Sequence, residues 1–485
     1  MTNPTEYNER RWLALALLCI AQFVVVLDAS IVNVALPSIG KGLDFSDKTL
    51  PWVVNAYVLT FGGFLLLGGR MADLLGRRRV FMAGLGIVAV ASLAAGFAET
   101  QGQLIAARAA QGLGAAIISP SALSIITTIF RDGAERNKAL GAWGAVAGSG
   151  GAVGVLLGGI LTEGLGWEWV LWVNVPVALV TLAFTRGLIP ESRAETATRH
   201  FDFAGAITIT AGLSLLVYAL LDATSSGWGS TKIVSLLAVS VVLIAAFIVT
   251  ELRSKAPLVP FRIFQNRTLT GANVVGLLLG AGLLSMFFFI TLYMQQVLGY
   301  SAIHAGLSYL PLSVMIIVSA AFGGQLVTRV GFKPVLAAGL LSMSAGLFWF
   351  SQVSAGGSFL TDILGASLLA ALGLGFGFVT STIAAMTGVA EQEQGLASGL
   401  INTSQQIGGA LGLAVLSTIA NSRTDDVLAT GGPLPQALTE GFQSAFLGGA
   451  VIGMIGFVAT LILIRTKDSR THKEMASAEA VPAGA

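Results

Sequence analysis

The sequence predicts an all-α integral membrane protein of fourteen transmembrane helices, two six-helix bundles with two helices inserted between them. Three observations carry that reading. Of 485 residues, 54% are hydrophobic and only 11% charged, with a mean hydropathy of +0.81, whereas a soluble domain is about 25% charged. Apolar runs of about 20 residues, enough to cross a bilayer, follow one another along the whole chain. The basic residues fall almost entirely in alternate loops, the pattern that sets topology.

The runs are 13–39, 52–69, 80–98, 103–130, 139–161, 170–188, 203–221, 233–250, 270–297, 303–327, 335–353, 359–385, 396–420 and 443–464. The first is too long for a secretion-signal core and no small-residue cleavage site follows it, so it reads as a retained helix. Of the 27 Lys and Arg, 22 lie on the side that carries the N-terminus. The opposite side holds Lys41, Lys48, Lys232 and Arg423, and Arg108 falls within a helix. Short basic loops stay in the cytoplasm, so both termini are expected there, in a multi-pass protein of the plasma (inner) membrane.

Two echoes suggest duplicated halves. Gly69 to Arg77 reappears as Gly324 to Lys333, offset by 255, and the stretch from Glu135 to Gly141 reappears as Glu393 to Gly399, offset by 258. The division expected is a first bundle over 1–190, an insert with its flanking cytoplasmic loops over 191–267, a second bundle over 268–465 and a cytoplasmic tail over 466–485, the plan of two rocking bundles. The tail, polar throughout, is expected to be unstructured. The segment 421–440, with Gly431, Gly432, Pro433 and Pro435, is expected to form an outer loop.

Several functions are excluded at this stage. A net charge of +2 leaves no basic surface for nucleic acid, and the crossings leave no room for a soluble catalytic domain. Cys19, alone within the first run, is a core residue that can neither close an internal disulfide nor supply a multi-cysteine metal site. His200, His304 and His472 are scattered over loops and tail, so neither metal, cofactor nor enzyme is expected. There is no GxxxxGK[ST] element for an ATP-driven pump.

An acid in a membrane helix costs roughly 2.5–3.5 kcal/mol on insertion scales, so it should face the protein interior or a water-filled path. Asp28 is the clear case, about 22 Å from the inner end of its helix. A carboxyl in that setting can alternate between protonated and charged forms, as a proton-coupled cycle requires; the alternative is a structural acid held by a hydrogen bond. Arg108 lies about 8 Å below the outer end of the fourth crossing, at nearly the same depth. It keeps its proton, so it could couple the state of Asp28 to movement, or else anchor backbone carbonyls.

The inner loop holds Gly69, Asp73, Gly76, Arg77 and Arg78, at a helix-to-helix turn. Topology alone would explain its arginines, but not Asp73 and the two glycines. An aspartate there could hold a helix N-terminus or an arginine in one conformation and release it in another, as a gate lock. Gly150, Gly154 and Gly158 share one face of the fifth crossing at four-residue spacing and form a close-packing surface. Asn33, Asn55, Tyr57, Gln111, Phe288, Tyr293, Gln296 and Gln405 are candidate lining for a substrate cavity, or else bonds between helices. An apolar lining with sparse polar groups suits amphipathic organic molecules.

These residues resemble the fourteen-helix drug:proton antiporters of the major facilitator superfamily along nearly the whole chain. Leu27-Asp28-Ala29-Ser30-Ile31-Val32-Asn33-Val34-Ala35-Leu36-Pro37 resembles the family's first-helix signature, whose acid is tied to proton or substrate coupling. Gly69 to Val80 resembles the inner-loop gating motif, and Arg108-Ala109-Ala110-Gln111-Gly112-Leu113-Gly114 the fourth-helix motif whose arginine is tied to proton transfer. Tyr293 to Tyr300 and Ala305-Gly306 resemble the junction of the ninth and tenth helices. The chain departs from the pattern at Gly154-Val155, where the family has Gly-Pro, at Leu74, Trp167-Glu168-Trp169 and Gln405-Gln406, and in lacking an acid in the tenth crossing.

The resemblance implies a major facilitator fold and proton-coupled export of small amphipathic compounds, drugs or antibiotics, monocationic or neutral, by a monomer in a lipid bilayer. Two other readings stay open at this point: a dedicated exporter of one natural product, siderophore or lipid, and a non-transporting receptor or scaffold.

Overall fold

The computed structural model describes residues 4–45, 49–130, 133–192, 202–254, 257–390 and 393–480. Among them every regular element is a helix. The first part holds α1 (Pro4–Gly42), α2 (Trp52–Leu75), α3 (Arg77–Gly96), α4 (Gln101–Ile129) and α5 (Ala134–Gly164), then α6 (Glu168–Trp172) and α7 (Asn174–Leu188), which share one crossing. A hairpin of α8 (Phe203–Ser226) and α9 (Thr231–Arg253) follows. The second part holds α10 (Arg267–Leu292), α11 (Ala302–Ser308), α12 (Leu310–Val330), α13 (Phe332–Phe350), α14 (Gly365–Met386), α15 (Gln394–Ala429), α16 (Leu434–Leu463) and α17 (Thr466–Ala480).

Arg11 of α1 reaches Glu135 of α5 at 2.6 Å, and His472 of α17 reaches Asn137 of α5 at 3.0 Å. The start of α1 and α17 therefore lie at one end of the molecule, its terminal face; the other end is the distal face. Twelve helical segments among the described residues are long and apolar enough to cross a membrane. α5 and α15, with 31 and 36 residues, are about 47 and 54 Å long at 1.5 Å per residue.

Local chemistry sets the helix ends. Thr100 accepts from the Gln103 backbone while the Gln103 side chain accepts from Thr100 N at 3.2 Å, a capping box that starts α4. Asn266 caps α10 on two amides. Left-handed glycines make the sharp links, and they repeat. Gly76 (φ 107°) and Gly331 (φ 86°) are 255 residues apart, as are Gly133 (φ 142°) and Gly388 (φ 71°). An L side chain is strained in that region, so each of these turns favours glycine.

The α8–α9 hairpin lies along the seam between α2 and α15. Tyr218 stacks on Trp52 of α2 at 5.5 Å, and Trp228 Nε1 donates to Thr418 Oγ1 of α15 at 2.8 Å.

Two expectations need correction. Residues 421–440 are not a loop: α15 continues to Ala429 and α16 starts at Leu434, with Arg423 paired to Glu440 at 2.6 Å across the extension. Hydropathy reports where a helix leaves the lipid, not where it ends. The tail beyond Arg465 is not unstructured but forms α17 through Ala480, because its polar residues find partners on the terminal face.

Candidate functional site

Asp28 of α1 is 2% exposed and Arg108 of α4 fully buried. Arg108 Nη1 donates to Asp28 Oδ2 at 2.7 Å and to Gln111 Oε1 at 3.0 Å, while its Nε donates to the Val53 carbonyl at 2.9 Å. The other carboxylate oxygen, Oδ1, accepts from Gln111 Nε2 at 3.1 Å and from Asn174 Nδ2 at 2.6 Å. Gln111 Nε2 also donates to Ser92 Oγ at 2.8 Å. The Tyr57 ring lies 4.5 Å from the guanidinium carbon, held there by its hydroxyl donating to the Val25 carbonyl at 2.9 Å.

Burying two ions costs several kcal/mol each, which their attraction offsets only when geometry and further hydrogen bonds are good. Here both oxygens of Asp28 are engaged, under an apolar cap that includes Leu27, Ile31, Val53, Leu104 and Ala107. The chemistry available follows from the residue types. Arginine does not deprotonate, so the pair changes charge only by protonation of Asp28. That would leave a guanidinium without its counter-ion in a dry interior, a state unfavourable enough to drive rearrangement of α1 against α4.

Asn174 and Ser92 have no signal in the sequence, since Asn174 is 146 residues from Asp28. Asn174→Ala removes a hydrogen bond to a charged acceptor, worth about 1.5–3 kcal/mol. The expected result is a lower melting temperature in detergent together with weakened, not abolished, transport; unchanged melting and transport would contradict it.

A second buried charge cluster joins the two parts of the chain at the terminal face. Asp73 is fully buried and Arg77 1% exposed. Asp73 Oδ1 and Oδ2 accept from the backbone amides of Gly395 at 3.1 Å and Leu396 at 3.0 Å, the first turn of α15. Arg77 Nη2 donates to Asp73 Oδ1 at 3.1 Å and its Nη1 to Thr128 Oγ1 of α4 at 2.7 Å. Gln394 Oε1 accepts from Thr127 at 2.9 Å and from Thr128 at 3.3 Å. A carboxylate on the free amides of a helix start is favoured by charge as well as by hydrogen bonding.

Gly69 lets the two helices meet: a Cβ on Gly395 would lie 2.5 Å from the Gly69 carbonyl. Arg78 is turned aside to Glu191, which accepts from its amide at 3.1 Å, and at Gly76 a Cβ would meet the same carboxylate at 2.7 Å. Glu191, Thr127 and Thr128 lie outside the motifs the sequence singles out, and Gln394 falls within the repeated stretch 393–399 without being marked there as a site residue.

Gly150, Gly154 and Gly158 of α5 pack against α1. Cβ atoms there would meet Val26 Cγ1 at 2.8 Å, the Ser30 hydroxyl, and the Ile31 carbonyl at 2.7 Å respectively. Gly158→Ala therefore overpacks the contact, at a cost of about 1–3 kcal/mol. The expected result is a lower melting temperature and slower transport, checked on purified and reconstituted protein; a neutral Gly158→Ala would contradict it.

The eight cavity candidates do not come together. Asn33 and Asn55 line an open cavity of about 290 Å³ with Leu36, Leu50, Pro51 and Val54. Tyr57 and Gln111 are spent on the Asp28 network. Tyr293 is buried near the distal face, donating to the Ser354 carbonyl at 2.8 Å and to Asp362 at 3.0 Å. Phe288 and Gln296 are exposed, and Gln405 packs its backbone on Gly280 of α10. Residue type alone selected this set, and type does not say which way a helix face turns.

Long apolar helices, a buried ion pair between two of them and a buried charge cluster joining the two parts of the chain are the features of a multi-pass membrane transporter. The chain belongs to the Major Facilitator Superfamily, whose family model matches residues 18–413. It is 39% identical to the puromycin resistance protein pur8 of Streptomyces alboniger over 98% of this chain and 95% of that one. It is 40% identical to the cephamycin export protein CmcT of Amycolatopsis lactamdurans, covering 95% and 94%, and 33% identical to the multidrug transporter protein MdtP of Bacillus subtilis, covering 87% and 77%. Among solved structures, the human organic anion transporter MFSD10 (TETRAN) superposes with a TM-score of 0.67 at 15% identity over 95% of this chain and all of that one, which supports the fold alone.

Proposed function

We propose that the protein is a proton-coupled antiporter that exports amphipathic organic compounds, drugs and antibiotics among them, from the cytoplasm by alternating access. The Asp28–Arg108 pair carries this reading, because it is a dry site whose charge one proton can change. Support for the cargo comes from relatives named for antibiotic resistance, antibiotic export and multidrug transport. The monomer spans the plasma membrane fourteen times, α5 and α15 making up the count beside the twelve apolar segments, with both termini cytoplasmic. The terminal face is then the cytoplasmic one.

On that orientation the Asp73 lock holds the cytoplasmic gate shut. The Asn33–Asn55 cavity lies on the outer half, toward the side from which Asp28 takes its proton. Protonation releases Arg108 and favours the state in which the lock opens; cargo enters from the cytoplasm and the proton leaves to that side. The absence of an acid in the tenth crossing favours monocationic or neutral cargo over dications.

The test is efflux of a lipophilic monocationic dye from reconstituted vesicles under an imposed proton gradient. Gradient-driven efflux is expected, and none under any gradient would contradict the reading. Relatives named for single antibiotics favour a second reading, a dedicated exporter of one natural product. A panel of unrelated dyes and antibiotics separates the two: the first moves many of them, the second few.

A further inference from the structure

We propose that α17 is a latch across the seam between α5 and α12, with His472 as its positioning residue, and that it must let go before that seam opens. The proposal rests on the alternating-access reading only for its consequence in transport.

Three contacts fasten the start of α17 to α10 and α13, and a fourth ties Lys333 of α13 to α16 beside it. Thr268 Oγ1 donates to Asp468 Oδ2 at 2.5 Å. The Lys333 amide donates to Ser469 Oγ at 3.1 Å, and Lys333 Nζ donates to the Leu461 carbonyl at 2.8 Å and to Thr466 Oγ1 at 3.2 Å. The fit is close, since a Cβ on Gly331 would lie 2.8 Å from the Ser469 carbonyl.

One turn further, His472 crosses to the first part of the chain. Its Nε2 pairs with Asn137 Oδ1 of α5 at 3.0 Å, and its ring lies edge-on to Phe332 at 5.7 Å. It is only 3% exposed. A polar helix with no apolar face to bury gains nothing from covering a histidine except through such a contact.

The two seams differ in what closes them. At the α2–α15 seam the lock is Asp73. Thr328 stands 255 positions on from Asp73, and its hydroxyl accepts a hydrogen bond from Asn137 Nδ2 at 3.2 Å. Asn137 is also where His472 attaches, so the side-chain amide is held through its nitrogen by α12 and through its oxygen by α17. Its backbone carbonyl packs on Gly324, where a Cβ would come within 2.5 Å. α5 cannot leave α12 with α17 docked unless the His472–Asn137 contact breaks.

The experiment places spin labels at Lys138→Cys of α5 and Arg329→Cys of α12, both exposed at the terminal face, in the full chain with Cys19→Ala, and reads the distance distribution. His472→Ala is expected to raise the ratio of separated to closed seam about fivefold, the effect of one hydrogen bond. His472→Gln, which can still bond the amide, should restore the native distribution. Asn137→Ala should shift it, with no added effect of His472→Ala. An unchanged distribution in His472→Ala, or a full extra shift in the double variant, would overturn the latch. Because the distances need no transport, a shift without dye efflux would keep the latch and reject the antiport reading.

Discussion

Asp28→Asn is expected to abolish gradient-driven efflux while leaving exchange of substrate down its own gradient. Asparagine has the size of aspartate, and its carbonyl oxygen can still accept from Arg108 Nη1, now 2.7 Å from Asp28 Oδ2. What disappears is the exchangeable proton. Arg108 stays charged and keeps Val53, Gln111, the Tyr57 ring and the backbone carbonyl of residue 28 as neighbours, but no longer faces an anion. The variant is thus fixed in the electrostatic state that a proton would create. Reconstituted vesicles measure both quantities: imposed-gradient efflux should fall at least about tenfold, the ratio that 1.4 kcal/mol would give, and counterflow should persist. Normal gradient-driven efflux from Asp28→Asn would move the proton site elsewhere.

Asp73→Ala should have an effect as large, by a different route. The carboxylate serves Arg77 and two amides of α15 at 3.0–3.1 Å, and all three donors are buried with it. Removing one partner of a buried charged pair costs about 3–5 kcal/mol, and here the cost falls on the closed seam, because the amides and Arg77 reach water once it opens. The open-to-closed ratio should rise roughly 10²–10⁴-fold. Spin-label distances between the terminal ends of α2 and α15 would show the opening, and efflux should fall because the outward-open state is seldom populated. Asp73→Asn keeps acceptor capacity but loses the charge, and should lie between. A native distance distribution in Asp73→Ala would show that the lock does not hold the gate.

The parts legible in the sequence are those with a large local cost. A carboxylate and a guanidinium at matching depth in apolar helices demand an explanation wherever they sit, and counting 1.5 Å per residue places Asp28 and Arg108 at nearly the same depth; in the structure they are 2.7 Å apart. The same logic singled out Asp73, which the inner-loop arginines alone did not require. Neutral partners carry no such signal. Asn174, Ser92, Thr128 and Gln394 are ordinary polar residues that become functional candidates only when the fold brings distant segments together.

Hydropathy fails in a related way at the helix ends. It sees lipid-facing length, so it missed the extension of α15 past residue 420 and all of α17, whose stability comes from side chains such as Ser469 and His472 meeting the terminal face. The cavity candidates rest on residue type, which carries no direction. Tyr57 and Gln111 are buried against the ion pair, whereas Phe288 is 40% exposed, though all three sit on helices of similar composition.

The central claim is that one carboxyl, Asp28, exchanges its proton as cargo binds. The most direct measurement is proton release from the purified protein in weakly buffered detergent on addition of a lipophilic monocation, native beside Asp28→Asn. The account predicts release from the native protein and none from the variant. No release from the native protein, or equal release from both, would contradict it.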